Sequence, residues 1–228
     1  MKRAIGLLAV LGLCGTAALA GPVTFYARGD FNGWGLDNPM TFVGGVEYTV
    51  TIGGFNPGDM FEYKVATADW SINAPGSNGK IMADASGQFT LHFYNQDTWS
   101  DGWEPSSKLR VGYDDPGMFG WVVMGSFNGW ASPVVTLTDM GNGLWVGDLV
   151  VPTPGTYEWK FRKDDNWDIS IGDDFGNAAA NNTYTTTVPN EVIHFELDLP
   201  GGRWRAVPEP AGLALLALGG LLAARRRG

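Results

Sequence analysis

The chain has 228 residues, which is room for one or two ordinary domains. Its 44% apolar and 17% charged content fits a packed globular protein and excludes wholesale disorder, while 33 glycines and 13 prolines leave little scope for long helices. A net charge of −9 excludes a general nucleic-acid binder, which needs a basic face.

The first twenty residues read as an export signal. Met1-Lys2-Arg3 is a short basic start, an apolar run follows from Ala4 to Leu13, and Ala18-Leu19-Ala20 is an A-x-A cleavage site before Gly21. The run is too short to span a bilayer. Cys14, the single cysteine, lies inside this segment, so a chain cut after Ala20 has no thiol for disulfides, zinc or catalysis.

The interior is a duplication. Phe25 to Trp34 lines up with Trp121 to Trp130, both ending in Phe-Asn-Gly-Trp. Phe61-Glu62-Tyr63-Lys64-Val65 then matches Tyr157-Glu158-Trp159-Lys160-Phe161. Trp70 answers Trp167, His92-Phe93 answers His194-Phe195, and Trp103 answers Trp204. The repeat is domain-sized, and Pro105-Ser106-Ser107 reads as the linker. Residues 21–106 and 107–206 are the expected domains.

Within each repeat the pattern alternates with period two. Phe61, Tyr63 and Val65 oppose Glu62 and Lys64; Phe89, Leu91 and Phe93 oppose Thr90 and His92; Ile193, Phe195 and Leu197 oppose His194 and Glu196. Asn32-Gly33, Pro57-Gly58, Asn128-Gly129 and Pro154-Gly155 supply turns between the runs. Short strands with one buried face predict an all-β chain of two tandem sandwiches. Trp121, Trp145 and Trp159 sit at alternating strand positions and belong to the core.

Each repeat also carries Gly-x-Phe-Asn-Gly-Trp, then aromatic-Glu-aromatic-Lys, then a Trp six or seven residues after the lysine. This order resembles carbohydrate-binding module family 48 and the related glycogen-binding domains. The resemblance implies an immunoglobulin-like, early-set β-sandwich and an α-1,4-glucan ligand held by two tryptophans, a lysine and an asparagine. Carried over residue by residue, it implies Trp130, Lys160, Trp167 and either Asn181 or Asn182 in the second repeat. In the first it implies Trp34, Lys64 and Trp70, with Asn78 as the candidate asparagine. A flat indole with polar neighbours suits the apolar C–H face and hydroxyl rim of a pyranose. A cross-strand ion pair with Glu62 or Glu158 is the alternative role for each lysine.

Enzyme chemistry finds little support. His92 and His194 recur at equivalent strand positions, which marks a repeated structural face. Asp164 to Ser170 has the look of a calcium loop, but Ile169 stands where the sharp-turn glycine belongs and Phe175 where the closing glutamate belongs. An EF-hand is therefore excluded, which leaves only a looser calcium site open; the residues otherwise call for no metal and no cofactor.

The chain closes on Val207-Pro208-Glu209-Pro210, an apolar stretch from Ala211 to Ala224, and Arg225-Arg226-Arg227. Fourteen helical residues reach about 21 Å, short of a ~30 Å hydrocarbon core. Motif, short apolar helix and terminal arginines together resemble the PEP-CTERM sorting tail, expected over 207–228. That resemblance implies processing by an exosortase, with signal peptidase acting at the other end. Membrane contact is then transient, and the product is secreted or displayed on the surface of a Gram-negative bacterium. Without the export signal and the residues from Ala211 onward the chain keeps 10 basic and 24 acidic residues, a net of −14. Such a charge repels anionic polymers and leaves neutral glycans unpenalised. The expectation is a non-catalytic binder of an α-glucan or neutral exopolysaccharide. The alternative is a structural or adhesive matrix protein without sugar specificity.

Overall fold

The computed structural model describes residues 23–164 and 166–209. The expected export signal with Cys14, and the expected sorting tail from Pro210 onward, lie outside the described residues. The described chain is all-β and divides into two sandwiches of antiparallel sheets.

In the first sandwich, β1 (Tyr26–Gly29), β4 (Met60–Ala66) and β5 (Asn73–Met82) make one sheet in the order β1-β4-β5. Facing it are β2 (Thr41–Gly44), β3 (Glu47–Gly53), β6 (Gln88–Tyr94) and β7 (Arg110–Tyr113), hydrogen-bonded in that order. Seven strands in sheets of three and four are the layering of an immunoglobulin-like sandwich.

The second sandwich repeats the plan. One sheet holds β8 (Trp121–Gly125), β9 (Val135–Thr136), β12 (Gly155–Lys163) and β13 (Ser170–Ile171), with β14 (Asn182–Thr186) also paired to β12. The other holds β10 (Thr138–Asp139), β11 (Leu144–Val151), β15 (Glu191–Asp198) and β16 (Arg203–Pro208).

The alternation in the sequence is the alternation in burial. Phe89, Leu91 and Phe93 point inward from β6, and Ile193, Phe195 and Leu197 inward from β15. Trp121 and Trp159 are fully buried and Trp145 nearly so, as their strand positions require. Trp159 packs edge-on against Phe195 and Trp204, at centroid distances of 4.9 and 5.0 Å. Such pairs contribute about 0.5–1.5 kcal/mol each beyond the area they bury.

Both expected domain boundaries move. Residues 110–113 form a strand on β6, with Val111 opposite Phe93 and Tyr113 opposite Leu91, so the first sandwich extends past Ser107 to Tyr113. The proline-serine segment that reads as a linker is a loop within that sandwich. Buried Arg110 pins it, donating to Asp101 and to the Pro105 and Trp103 carbonyls. The register also revises the repeat alignment. Arg110 pairs with Tyr94 as Arg205 pairs with Glu196, so Leu109, and not Trp103, is the counterpart of Trp204. At the other end, Val207 and Pro208 continue β16 opposite His194 and Ile193, and the Glu209 N–H donates to the Val192 carbonyl at 3.0 Å. Val207 and Pro208, expected to open a sorting motif, are thus part of the second sandwich.

The sandwiches dock through β5 and the loop after β13. The Asp174 carboxylate accepts from the Ser77 N–H at 2.8 Å and from its hydroxyl at 3.1 Å. The Asn177 N–H donates to the Asn78 carbonyl at 2.9 Å, and Lys108 pairs with Asp173 at 2.9 Å. Phe175 is buried against Tyr113, and the Tyr113 N–H donates to the Leu199 carbonyl. Gly112 permits this approach, since a Cβ there would lie 2.1 Å from the Pro200 carbonyl oxygen.

Candidate functional site

Each Phe-Asn-Gly-Trp motif folds into the same turn. A three-residue 3-10 helix, 30–32 or 126–128, follows the first strand and ends on a left-handed glycine, Gly33 or Gly129. The tryptophan after it also takes the left-handed conformation, with φ of 63° at Trp34 and 65° at Trp130. Its N–H returns to the carbonyl of Gly29 or Gly125 at 2.9 Å. The glycine opening the motif is sterically required: a Cβ on Gly29 would sit 2.2 Å from the Glu62 carbonyl oxygen, and one on Gly125 2.7 Å from that of Glu158. Asp30 in one turn and Ser126 in the other accept the N–H of Glu62 and Glu158, which ties the turn to the central strand.

The second tryptophan comes from the loop after β4 or β12. Trp70 again has φ of 63°, and its N–H donates to the Thr67 carbonyl at 3.1 Å. Asp69 organises this loop by accepting from the hydroxyls of Thr67 and Ser71 and from the Ser71 N–H. Those hydrogen bonds, Thr67 first, lower its pKa to about 2. In the second repeat Asn166 accepts the Asp168 N–H beside Trp167.

These loops bring the tryptophans together in pairs. Trp34 and Trp70 have ring centroids 6.2 Å apart at 36°, and Trp130 and Trp167 6.1 Å apart at 46°. Trp34, Trp70 and Trp130 are partly exposed, and Trp167 is 47% exposed. A left-handed conformation at a bulky residue is a strained outlier that costs about 1–2 kcal/mol. Three of the four indoles hold it, and such strain gathers at ligand sites.

The lysines lie on the same outer sheet faces, turned to carbonyls and not to the neighbouring glutamates. The Lys64 ammonium donates to the Pro75 and Gly76 carbonyls and to Asn73 Oδ1; Lys160 donates to the Ala179 carbonyl. Burial pushes both pKa values down, opposed by Asp174 at Lys64 and by Asp173 and Asp174 at Lys160. The glutamates take asparagines instead: Asn78 donates to Glu62 at 2.9 Å and Asn181 to Glu158 at 3.2 Å. Asn78 and Asn181 are therefore structural counterparts. Asn182 is different. It is 2% exposed, faces inward from β14, and its amide has no partner among the described residues. Both Asn181 and Asn182 line, with Trp204, a cleft of about 640 Å³ beside the 102–108 loop.

Two site residues escape the repeat comparison. The Arg28 guanidinium carbon lies 3.8 Å from the Trp70 ring centroid, and that of Arg162 5.2 Å from the Trp167 centroid. Both arginines are buried. The histidines also form a duplicated arrangement on the opposite sheets, His92 between Glu47 and Asp114 and His194 between Asp148 and Glu196.

A paired, partly exposed indole surface can stack the apolar face of a ring. No family model matches the chain, and no curated protein matches it.

Proposed function

We propose that this is an exported, non-catalytic glycan-binding protein whose ligand is an α-glucan or a neutral exopolysaccharide. The observation that carries the reading is the duplicated indole pair, held partly exposed at 6.1–6.2 Å with three of its four members in a strained backbone conformation. A core plug has no need of such strain, whereas an aromatic surface kept ready for a ligand does. The Asn78–Glu62 and Asn181–Glu158 pairs, whose glutamates are tied to the tryptophan turns, supply neutral and acidic hydrogen-bonding groups suited to hydroxyls. The net acidic character disfavours anionic polymers and leaves neutral glucans as the better match.

The export signal and the PEP-CTERM-like tail place the protein, in this reading, at the cell surface or in the matrix of a Gram-negative bacterium. Signal peptidase and exosortase are the processing partners. Intact mass of the exported product is expected to lack Arg225 to Arg227.

Affinity electrophoresis over starch, glycogen, cellulose and the host's own polysaccharide tests the function. Glycogen or starch is expected to retard the protein. Unretarded migration on the whole panel supports instead a structural matrix protein.

A further inference from the structure

We infer that a buried arginine is a positioning residue for each tryptophan platform, Arg28 holding both indole loops of the first pair and Arg162 the Trp167 loop of the second, and that the two repeats supply it from different strands. The inference rests in part on the glycan reading, but the positioning itself is measurable without any glycan.

In the first repeat a single guanidinium reaches both tryptophan loops. Arg28 Nε donates to the Trp34 carbonyl at 2.8 Å, and Nη1 donates to the Thr67 and Ala68 carbonyls at 3.3 Å. The same group lies 3.8 Å from the Trp70 ring centroid. It therefore packs on a face of the Trp70 ring while holding the Trp34 loop. Arg28 is only 9% exposed, and its partners are carbonyl oxygens and the ring. Burying a cation on such terms is costly, so the side chain needs a purpose beyond filling space. Arginine suits the task because its planar fork can donate in several directions while stacking on an aromatic face.

The second repeat reaches a comparable arrangement by another route. Arg28 stands opposite Lys64 in the β1–β4 register, and the residue opposite Lys160 in the β8–β12 register is Met124. Two residues beyond the lysine along the central strand, β4 has Ala66 and β12 has Arg162. Arg162 is 6% exposed, donates from Nε to the Asp164 carbonyl at 3.2 Å, and lies 5.2 Å from the Trp167 centroid. Where one strand lacks the arginine, its neighbour carries it. What the two repeats share is a guanidinium beside the indoles, whichever strand delivers it.

The test exchanges the two solutions. In a protein whose second pair is removed by Trp130→Ala/Trp167→Ala, Trp34 and Trp70 at 6.2 Å couple their strong ultraviolet transitions and give a paired positive and negative circular-dichroism band, read as the difference from the same protein carrying Trp70→Ala so that the Trp159–Trp204 pair at 5.0 Å cancels. Arg28→Met is expected to abolish that couplet and to weaken glycogen retention about tenfold, the scale of one lost cation–π contact with its loop ordering. Arg28→Met/Ala66→Arg, which installs the second repeat's arrangement, is expected to restore both. An unaltered couplet in Arg28→Met overturns the inference, as does an exchanged protein that folds without the couplet or fails to fold. Should the single variant unfold, a folded exchanged protein that shows the couplet supports it. If no protein in the series is retained by glycogen while the couplet still follows the arginine, the positioning role stands and the glycan reading falls.

Discussion

The loops that carry Trp70 and Trp167 reach one geometry with different residues. The first is a residue shorter, is organised by Asp69 and draws its arginine from β1; the second is organised by Asn166 and draws its arginine from β12. Even so, the indole separations agree within 0.1 Å. The duplicated chain has kept the spacing of two rings and let the side chains that enforce it change.

The comparison breaks most visibly between platform and core. Trp159→Ala should cost about 3–5 kcal/mol in urea unfolding, because it empties a fully buried site. Trp167→Ala, at a 47% exposed position, should cost under about 1 kcal/mol. Similar losses at the two positions would make Trp167 a core residue.

A smaller effect concerns the joint between the repeats. Asp174→Ala leaves the Ser77 N–H and hydroxyl without their carboxylate and should cost about 1–3 kcal/mol. Calorimetry should then resolve two transitions in place of one coupled transition. A single unshifted transition would mean that the latch contributes nothing to coupling.

Backbone strain sharpens the contrast further. Trp34→Gly should be about 1 kcal/mol more stable than Trp34→Ala, because glycine accepts the left-handed conformation that alanine does not. The same ordering is expected at Trp130, whereas Trp167 is not among the residues with positive φ.

The smallest effect is the response to acid. Asp69 is held at about 2, below its unfolded value near 3.8, so its contribution to loop order is complete above about pH 4 and lost as pH falls through 2. Asn166 does not titrate. Trp70 fluorescence should therefore change in strong acid, with the change removed by Asp69→Asn. An acid response unaltered by Asp69→Asn would assign it to other groups.

Much of this architecture is legible in the sequence. Period-two alternation announces the strands, and the repeated Phe-Asn-Gly-Trp and aromatic-Glu-aromatic-Lys runs announce both the duplication and the tryptophans. The hidden parts have physical causes. Pro105-Ser106-Ser107 reads as a linker because it is locally loop-like, and only the long-range pairing of Val111 with Phe93 assigns residues 110–113 to the first sandwich. Asn181 and Asn182 are adjacent, so the residue that faces out depends on the β12–β14 register, which puts Asn182 opposite Trp159. The arginines are hidden by the duplication itself, since Arg28 aligns with Met124 and Arg162 with Ala66. A search for cations near each motif, in place of a position-by-position match, would have found them.

The central claim is that each repeat presents its tryptophan pair as a glycan platform. Its most direct test is glycogen affinity electrophoresis of the wild type, Trp34→Ala/Trp70→Ala, Trp130→Ala/Trp167→Ala and the fourfold variant, with far-UV circular dichroism confirming the fold. Two linked sites can exceed one in avidity by roughly 10²–10⁴ when both engage. The account predicts strong retention of the wild type, weak retention of each double variant and none of the fourfold variant, all with a preserved β signal. A folded fourfold variant retained as strongly as the wild type would contradict it.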